Sequence, residues 1–241
     1  LLEVILKRLK KAGVTEVTGT IDATGQTGGK VTVTGEKVSI KGATIDASGL
    51  FGGGVILIGG DYQGANPDVA NARQTFVNAG SVLKADAIES GDGGKIIVWA
   101  DQATWFYGQA FVSGGLAGGN GGFIETSGKG ALYVGPEAVI GLGAPRGTPG
   151  TWLLDPTDVT LSDDVTANMT GTPDWVPNGT PATGTINIAA IEAVLNGAGG
   201  GTVTVSTVSG AVGPVGWIHV NAPIDVDLGG LHAVIVGARF V

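Results

Sequence analysis

The sequence predicts an all-β solenoid, a chain wound into stacked coils of parallel strands, and three observations carry that expectation. A phrase recurs: GATIDASGLFGGGVILIGGDYQG (Gly42–Gly64) repeats, with variations, GTIDATGQTGGKVTVTG (Gly19–Gly35), and weaker copies follow downstream. Repetition at intervals of roughly 20–50 residues is the signature of such arrays. Glycine supplies 45 of the 241 residues without a Gly-X-Y period, which suits tight corners and excludes collagen. Thr and Val are abundant while Lys, Arg and Glu are scarce, a balance that favours strands and turns over helical surfaces.

The first segment, residues 1–13, breaks this pattern. Leu1, Leu2, Ile5, Leu6 and Leu9 fall on one face of a helical wheel and Lys7, Arg8, Lys10 and Lys11 on the other, with Gly13 as a stop, so the spacing predicts an amphipathic helix. It would serve as a cap over the open end of the solenoid, as sequence foreign to the body, or as a membrane-surface helix.

From Val14 to Pro156 five coils align. Their first strands centre on Ile21, Ile45, Leu83, Phe111 and Val139, and each is followed by a glycine corner: Gly28-Gly29, Gly52-Gly53-Gly54, Gly93-Gly94, Gly121-Gly122 and Gly150. Each corner leads to an apolar strand: Val31–Val33, Val55–Ile58, Ile96–Trp99, Phe123–Glu125 and Trp152–Leu154. A third, more polar strand is expected at Lys37–Ile40, Thr75–Val77, Thr104–Tyr107 and Leu132–Val134. Stacking such strands coil on coil gives parallel sheets with apolar ladders inside, and glycine lets the corners turn at positive φ. Val55–Ile58 is apolar on both faces, which implies a local cover, and the insertion Asp61–Gln74 is the candidate.

Residues 157–184, rich in Thr, Pro, Asn and Asp, read as an irregular excursion. In residues 185–241, Ile186–Leu195 has helical apolar spacing and stops at Asn196-Gly197, so one short helix is predicted. Strands resume at Thr202–Val208 and Trp217–Val226, and AVIVGARFV (Ala233–Val241) lacks a polar terminal cap. An open coil is an unpaired edge, so the solenoid is expected to continue beyond it.

Net charge is −8 although residues 1–13 are basic, so the body is acidic, which argues against a nucleic-acid partner. There is no cysteine, a feature that suits a secreted chain with nothing to cross-link during export. No apolar run reaches the roughly 18–20 residues that span a bilayer, so stable membrane insertion is not expected. The start lacks an initiator Met and a signal-peptide pattern, and reads as part of something longer.

At this point the residues resemble a family. GGKVTVTGEKVSIKGATIDASGLFGGGVILIGGDYQG, DGGKIIVWAD (Asp92–Asp101), GGNGGFIETSGK (Gly118–Lys129), GTWLLDPTDVTL (Gly150–Leu161) and TINIAAIEAVLNGAGGGTVTVST (Thr185–Thr207) are similar to segments of the haemagglutinin-like large exoproteins of bacterial two-partner secretion, the filamentous-haemagglutinin type. The resemblance runs from about Val14 to roughly Ile224. It implies a right-handed, single-stranded parallel β-helix, secreted or held at the cell surface of a Gram-negative bacterium and exported through a barrel transporter in the outer membrane. The implied roles are adhesion to host-cell or matrix glycans or proteins, aggregation, biofilm formation and toxin presentation. The family's secretion module is not among these residues, and residues 1–13 and the last ten or so do not match it.

Candidate chemistry is sparse. Asp22 and Asp46 stand one coil apart; paired carboxylates serve as acid and base in glycoside hydrolases, but repeated Asp at a corner also bonds nearby backbone N–H groups. SGDGGK and GGNGGF lack the tandem nine-residue period of calcium-binding repeats, and the glycine clusters lack the βαβ setting of a dinucleotide site. His219 and His232 have no suitable neighbours for a metal, and no nucleophile motif is present. No catalytic residue, cofactor or metal is therefore predicted. Trp99, Trp105, Phe106 and Tyr107 lie close in sequence and would stack on sugars if they faced outward, or fill ladders if they faced inward. The insertion contributes Asp61, Tyr62 and Asn66 as contact residues on grounds of position, because loops on a rigid scaffold carry function. Trp99, Trp105, Tyr107, Asp61, Tyr62 and Asn66 are thus the candidate ligand contacts.

The first expectation is a non-enzymatic shaft segment of an adhesin, and the alternative is a β-helical polysaccharide-active enzyme, a lyase or glycoside hydrolase. Three or more charged side chains converging in a cleft would favour the enzyme.

Overall fold

In a computed structural model the chain visits three parallel sheets in cyclic order. The structure describes residues 3–7, 13–163, 169–170, 176–177, 184–197, 199–207, 217–220, 224 and 233–237, with the backbone alone at 3–7, 169–170, 176–177 and 233–237. The first sheet orders eight strands as Glu3–Lys7, Lys30–Thr34, Val55–Ile58, Lys95–Ala100, Phe123–Gly128, Thr151–Leu154, Thr202–Ser206 and Ala233–Gly237. The second orders Val14–Val17, Lys37–Ile40, Gln74–Val77, Ala103–Phe106, Ala131–Val134, Gly184–Asn187, Val159–Ser162 and Ile218–Val220. The third is shorter: Thr20–Asp22, Thr44–Asp46, Val82–Lys84, Gln109–Phe111 and Val139–Gly141.

Alternation within each strand makes the core. In the first sheet Val31, Ile56, Ile96, Ile124, Trp152 and Val203 share one register position and lie in one buried cluster with the inward residues of the other two sheets. Period-2 alternation sends the next residue outward. Outward residues of the first sheet form a second buried cluster, Leu57, Ile97 and Trp99 with Val55, Val69 and Phe123 packed on it. Those of the second sheet form a third: Phe76, Ala103, Trp105, Ala131 and Tyr133, with Tyr107 against it. The strands of the second sheet are therefore buried on both faces over Ala103–Phe106 and Ala131–Val134, not polar as expected.

The corner between the third and first sheets explains the glycines. A Cβ on Gly54 would lie 2.1 Å from the Gly29 carbonyl oxygen, and one on Gly94 would lie 2.1 Å from that of Gly54. Gly122 and Gly150 repeat the contact one coil further at 2.0 and 2.3 Å. None of these four is at positive φ. The expectation of positive φ fails here: glycine is needed because successive coils approach backbone to backbone, closer than any side chain allows.

Several expected details are corrected. Glu3–Lys7 is a strand paired in parallel with Lys30–Thr34; pairing on the open edge of the first sheet overrides the helical spacing of residues 1–13, and the rest of that segment lies outside the described residues. The third-sheet phase is one residue off in two coils: Ile45 and Leu83 stack on Ala110 and then Ile140, not on Phe111 and Val139. Val139 is accordingly 44% exposed. The excursion at 157–184 begins with a strand, Val159–Ser162, and that strand lies beyond Gly184–Asn187 in the second sheet although it comes earlier in sequence. The chain thus steps up one level and returns before the helix Ile188–Leu195, which buries Ile188, Ala190, Ile191, Val194 and Leu195 against the end of the core. Asn187 caps that helix, its side chain accepting from Ala189 N at 3.0 Å. Strand Thr202–Ser206 follows; the later expected strand is seen at Ile218–Val220, and residues 238–241 lie outside the described set.

Candidate functional site: a strapped carboxylate pair

Three coils turn from the first to the second sheet in two residues, Gly35-Glu36, Asp101-Gln102 and Lys129-Gly130, whereas the coil of Val55–Ile58 inserts residues 59–73 before Gln74. The two ends of this insertion meet where Ala72 N donates to Gly59 O at 2.6 Å, so it is a closed Ω-type loop. It lies over the outer face of the first sheet as a strap. Gly60 and Gly64 rest on the Trp99 indole so closely that a Cβ on either would come within 2.7 Å of the ring. Trp99 is 2% exposed beneath them, and its Nε1 donates to Asp101 Oδ1 at 3.2 Å. Asn71 Nδ2 donates to the same oxygen and to Gly64 O, at 3.1 and 2.9 Å. The sequence-derived cover is thus where it was expected.

The strap reaches beyond its own coil. Its short 3-10 turn, Tyr62–Gly64, is capped by Asp61, whose Oδ1 accepts from Tyr62 N at 2.7 Å. Lys95 Nζ donates to Asp61 Oδ1 at 3.0 Å and lies 5.8 Å from the Tyr62 ring centroid, and Tyr62 meets Phe123 edge-on. Asn66 Nδ2 donates to Asp61 Oδ2 at 2.8 Å. Burial alone would raise the Asp61 pKa, but the Asn66 amide, the Tyr62 N–H and Lys95 together hold it below the ordinary value.

Gln63, the one non-glycine residue at positive φ among those described (φ 51), forms the tip. Its backbone N–H is shared by both carboxylate oxygens of Glu125, at 3.2 and 3.1 Å, and its Nε2 donates to Asp155 Oδ2 at 2.9 Å. Glu125 and Asp155 are wholly buried. Burial raises both pKa values, Glu125 to about 7, where the nearby Asp155 charge adds to the effect and Lys95 opposes it. Ser127 Oγ accepts from Asp155 N, the Ser206 hydroxyl also faces Asp155, and Asp155 Oδ1 accepts no hydrogen bond. A residue in left-handed backbone conformation gripping two buried acids is a constrained arrangement of the kind found at functional positions.

The candidate contacts divide between two faces. Trp99, Asp61, Tyr62 and Asn66 gather in and under the strap, with Tyr62 44% exposed. Trp105 and Tyr107 lie on the outer face of the second sheet. Trp105 is 0% exposed and stacks on Tyr133 with centroids 5.7 Å apart, while half-buried Tyr107 meets Phe76 edge-on. Both tryptophans point outward, as sugar stacking requires, yet both are covered, and Phe106 faces inward. Glu125 and Asp155 escaped the sequence reading. The signal was present: each is the lone acid at the end of an apolar run, FIE and WLLD.

Elsewhere the carboxylates serve the coils. Asp22 and Asp46 stack in register, and each accepts at Oδ1 from the backbone N–H two residues on, Thr24 or Ser48, at 2.9 Å. Asp86 Oδ1 accepts from Ser113 N of the next coil at 2.6 Å; burial raises its pKa, with the Asp46 charge adding. Asp92 and Asn120 repeat this at the glycine corner, accepting from Asn120 N and Thr148 N. The surface grooves among the described residues include one of 540 Å³ along the glycine corner beside Asp92 and Lys95, and one of 430 Å³ between Asp46, Lys84, Asp86, Leu50 and Ile88. Among the described residues no three His, Asp or Glu side chains could hold a metal ion, and no helix is long and apolar enough to cross a membrane. His219 lies beside Trp217; His232 is outside the described residues. A comparison with protein-family models and with curated protein sequences returns no match.

Proposed function

We propose that this chain is a shaft segment of a secreted bacterial adhesin of the haemagglutinin-like exoprotein kind, its three sheets winding as a right-handed parallel β-helix. The observation that supports it most is the glycine corner. Five successive coils touch backbone to backbone there, and the parallel registers run without a break from Lys30 to Leu153 in the first sheet. Nearest-neighbour stacking of this kind gives stiffness along the coil axis. The corner carboxylates are engaged with backbone N–H groups, which is the work of a scaffold. Export through an outer-membrane barrel partner and attachment to host glycans or proteins complete the reading, with many weak contacts summed along the rod.

The second reading, a polysaccharide-active enzyme, draws on the groove where Asp46, Lys84 and Asp86 meet. One experiment separates the two. The chain is fixed to inert beads and presented to a glycan array and to cultured epithelial cells, while the free chain is incubated with neutral and acidic polysaccharides and new chain ends are measured. Binding without cleavage supports the shaft. Chain-end release that is lost in Asp86→Asn supports the enzyme. Absence of binding to both glycans and cells contradicts the adhesive role.

A further inference from the structure

The strap joins two features that the shaft reading leaves unused: a buried pair of acids and an apolar patch on an outer sheet face. Glu125 lies on the first-sheet strand Phe123–Gly128 and Asp155 directly follows the neighbouring strand Thr151–Leu154; both are wholly buried and both are reached by the single residue Gln63. Like charges placed together out of water cannot both ionise cheaply. Two remedies exist, a cation or a proton. The donors present argue against the cation, and burial outweighs their pull toward the charged form, which leaves the proton. Gln63 aims its backbone N–H at both oxygens of Glu125 and its amide N–H at Asp155, which turns positive dipoles, not ligand oxygens, toward the space a cation would need. Lys95, the cation facing the pair, is held by Asp61 at 3.0 Å.

We propose that residues 59–73 form an acid-closed strap: it is shut while one proton resides on the Glu125–Asp155 pair, and it loosens when both carboxylates are charged, uncovering the apolar face of Leu57, Ile97 and Trp99. The charged groups facing Glu125 are Asp155 from just past the following strand and Lys95 from the preceding one, with Asp61 of the strap behind Lys95; Gln63, Ser127 and Ser206 supply neutral partners. Gly59 at φ +75° and the Gly59–Ala72 hydrogen bond mark the neck on which the strap turns. The pKa of Glu125, pushed up to about 7 by burial, puts the change near neutrality. Because it is raised, the closing contribution is present below the ordinary glutamate range and is lost as pH rises through about 7. Such a strap would present an apolar patch in neutral surroundings and hide it in mildly acidic ones. The inference holds whether or not the chain is an adhesin.

The test is amide hydrogen exchange of the full chain at about pH 5 and about pH 8.5, corrected for intrinsic rates, with strap peptides compared with third-sheet peptides. The expected result is that strap opening increases by about tenfold or more at the higher pH, while the third-sheet strands keep their protection. Glu125→Gln keeps the shape without the charge, and its strap should stay protected at both pH values; Asp155→Asn serves the same purpose if the first variant does not fold. Equal strap protection at both pH values in the wild type, or wild-type pH dependence in the charge-free variant, overturns the proposal. So does restored protection on adding calcium at the higher pH, which would make the pair a cation site.

Discussion

Asp22 and Asp46 on the third sheet, and Glu125 on the first with Asp155 just past the neighbouring strand, are acids placed by the same strand periodicity on outward positions of the same stack. Their environments differ in where the hydrogen-bond donors come from. Asp22 and Asp46 bond N–H groups two residues along their own chain. Glu125 and Asp155 are bonded by Gln63, 62 and 92 residues away. A local donor keeps a carboxylate at the surface and ionised: the Thr24 N–H and then its hydroxyl hold Asp22 below the ordinary aspartate value. A remote donor delivered by a covering loop buries the acid and raises its pKa. The first arrangement survives any motion that leaves the turn intact. The second depends on the loop being in place, and so couples protonation to closure.

Removing the floor of the strap should break the contrast most. Trp99→Ala deletes a buried indole touched by Gly60 and Gly64 of the strap, and a loss of about 3–5 kcal/mol in denaturant unfolding is expected. Next comes Glu125→Gln. In the wild type the site should lose about 2–3 kcal/mol of stability between about pH 5 and about pH 8, because Glu125 titrates at about 7 in the folded chain and in the ordinary range when unfolded. The variant should lack that slope in melts across this range. Asp61→Asn is smaller and opposite in sign. The Asp61 pKa is lowered, so its contribution is present above the ordinary aspartate value and fades as pH falls through the folded one. Its pairing with Lys95, whose side chain is 37% exposed, is worth about 0.5–1 kcal/mol and should shrink in high salt. Asp22→Asn should give the smallest change of all, visible as faster exchange at Thr24 N–H and nowhere in the strap.

This contrast also marks what the sequence could show. The stacked coils, the Asp22–Asp46 register, the short helix ending at Leu195 and the covering insertion all rest on local patterns: a repeated phrase, glycine pairs, apolar spacing. Each was legible because its cause lies within a few residues. The two acids were marked locally, each ending an apolar run, but their pairing was not, because nothing near FIETS or LLDP says that Gln63 will arrive above them. The phase slip at Phe111 has a similar origin. Centring on the bulkiest residue put Phe111 inward, whereas register with Leu83 puts Ala110 there and leaves Phe111 against Gly141. Glu3–Lys7 shows the reverse failure: helical spacing was legible, but a free sheet edge at Lys30–Thr34 decides the outcome. The return of Gly184–Asn187 to a place beneath Val159–Ser162 also had no local mark.

The claim that source of donors decides the role of a carboxylate is tested most directly by site-resolved titration of the side-chain carboxyl carbons by NMR in the folded chain. The account predicts one glutamate resonance titrating near pH 7, absent in Glu125→Gln, while Asp22 titrates below the ordinary aspartate value. If Glu125 instead titrates in the ordinary glutamate range, the buried, strap-held pair is not what sets its proton affinity, and the account is wrong.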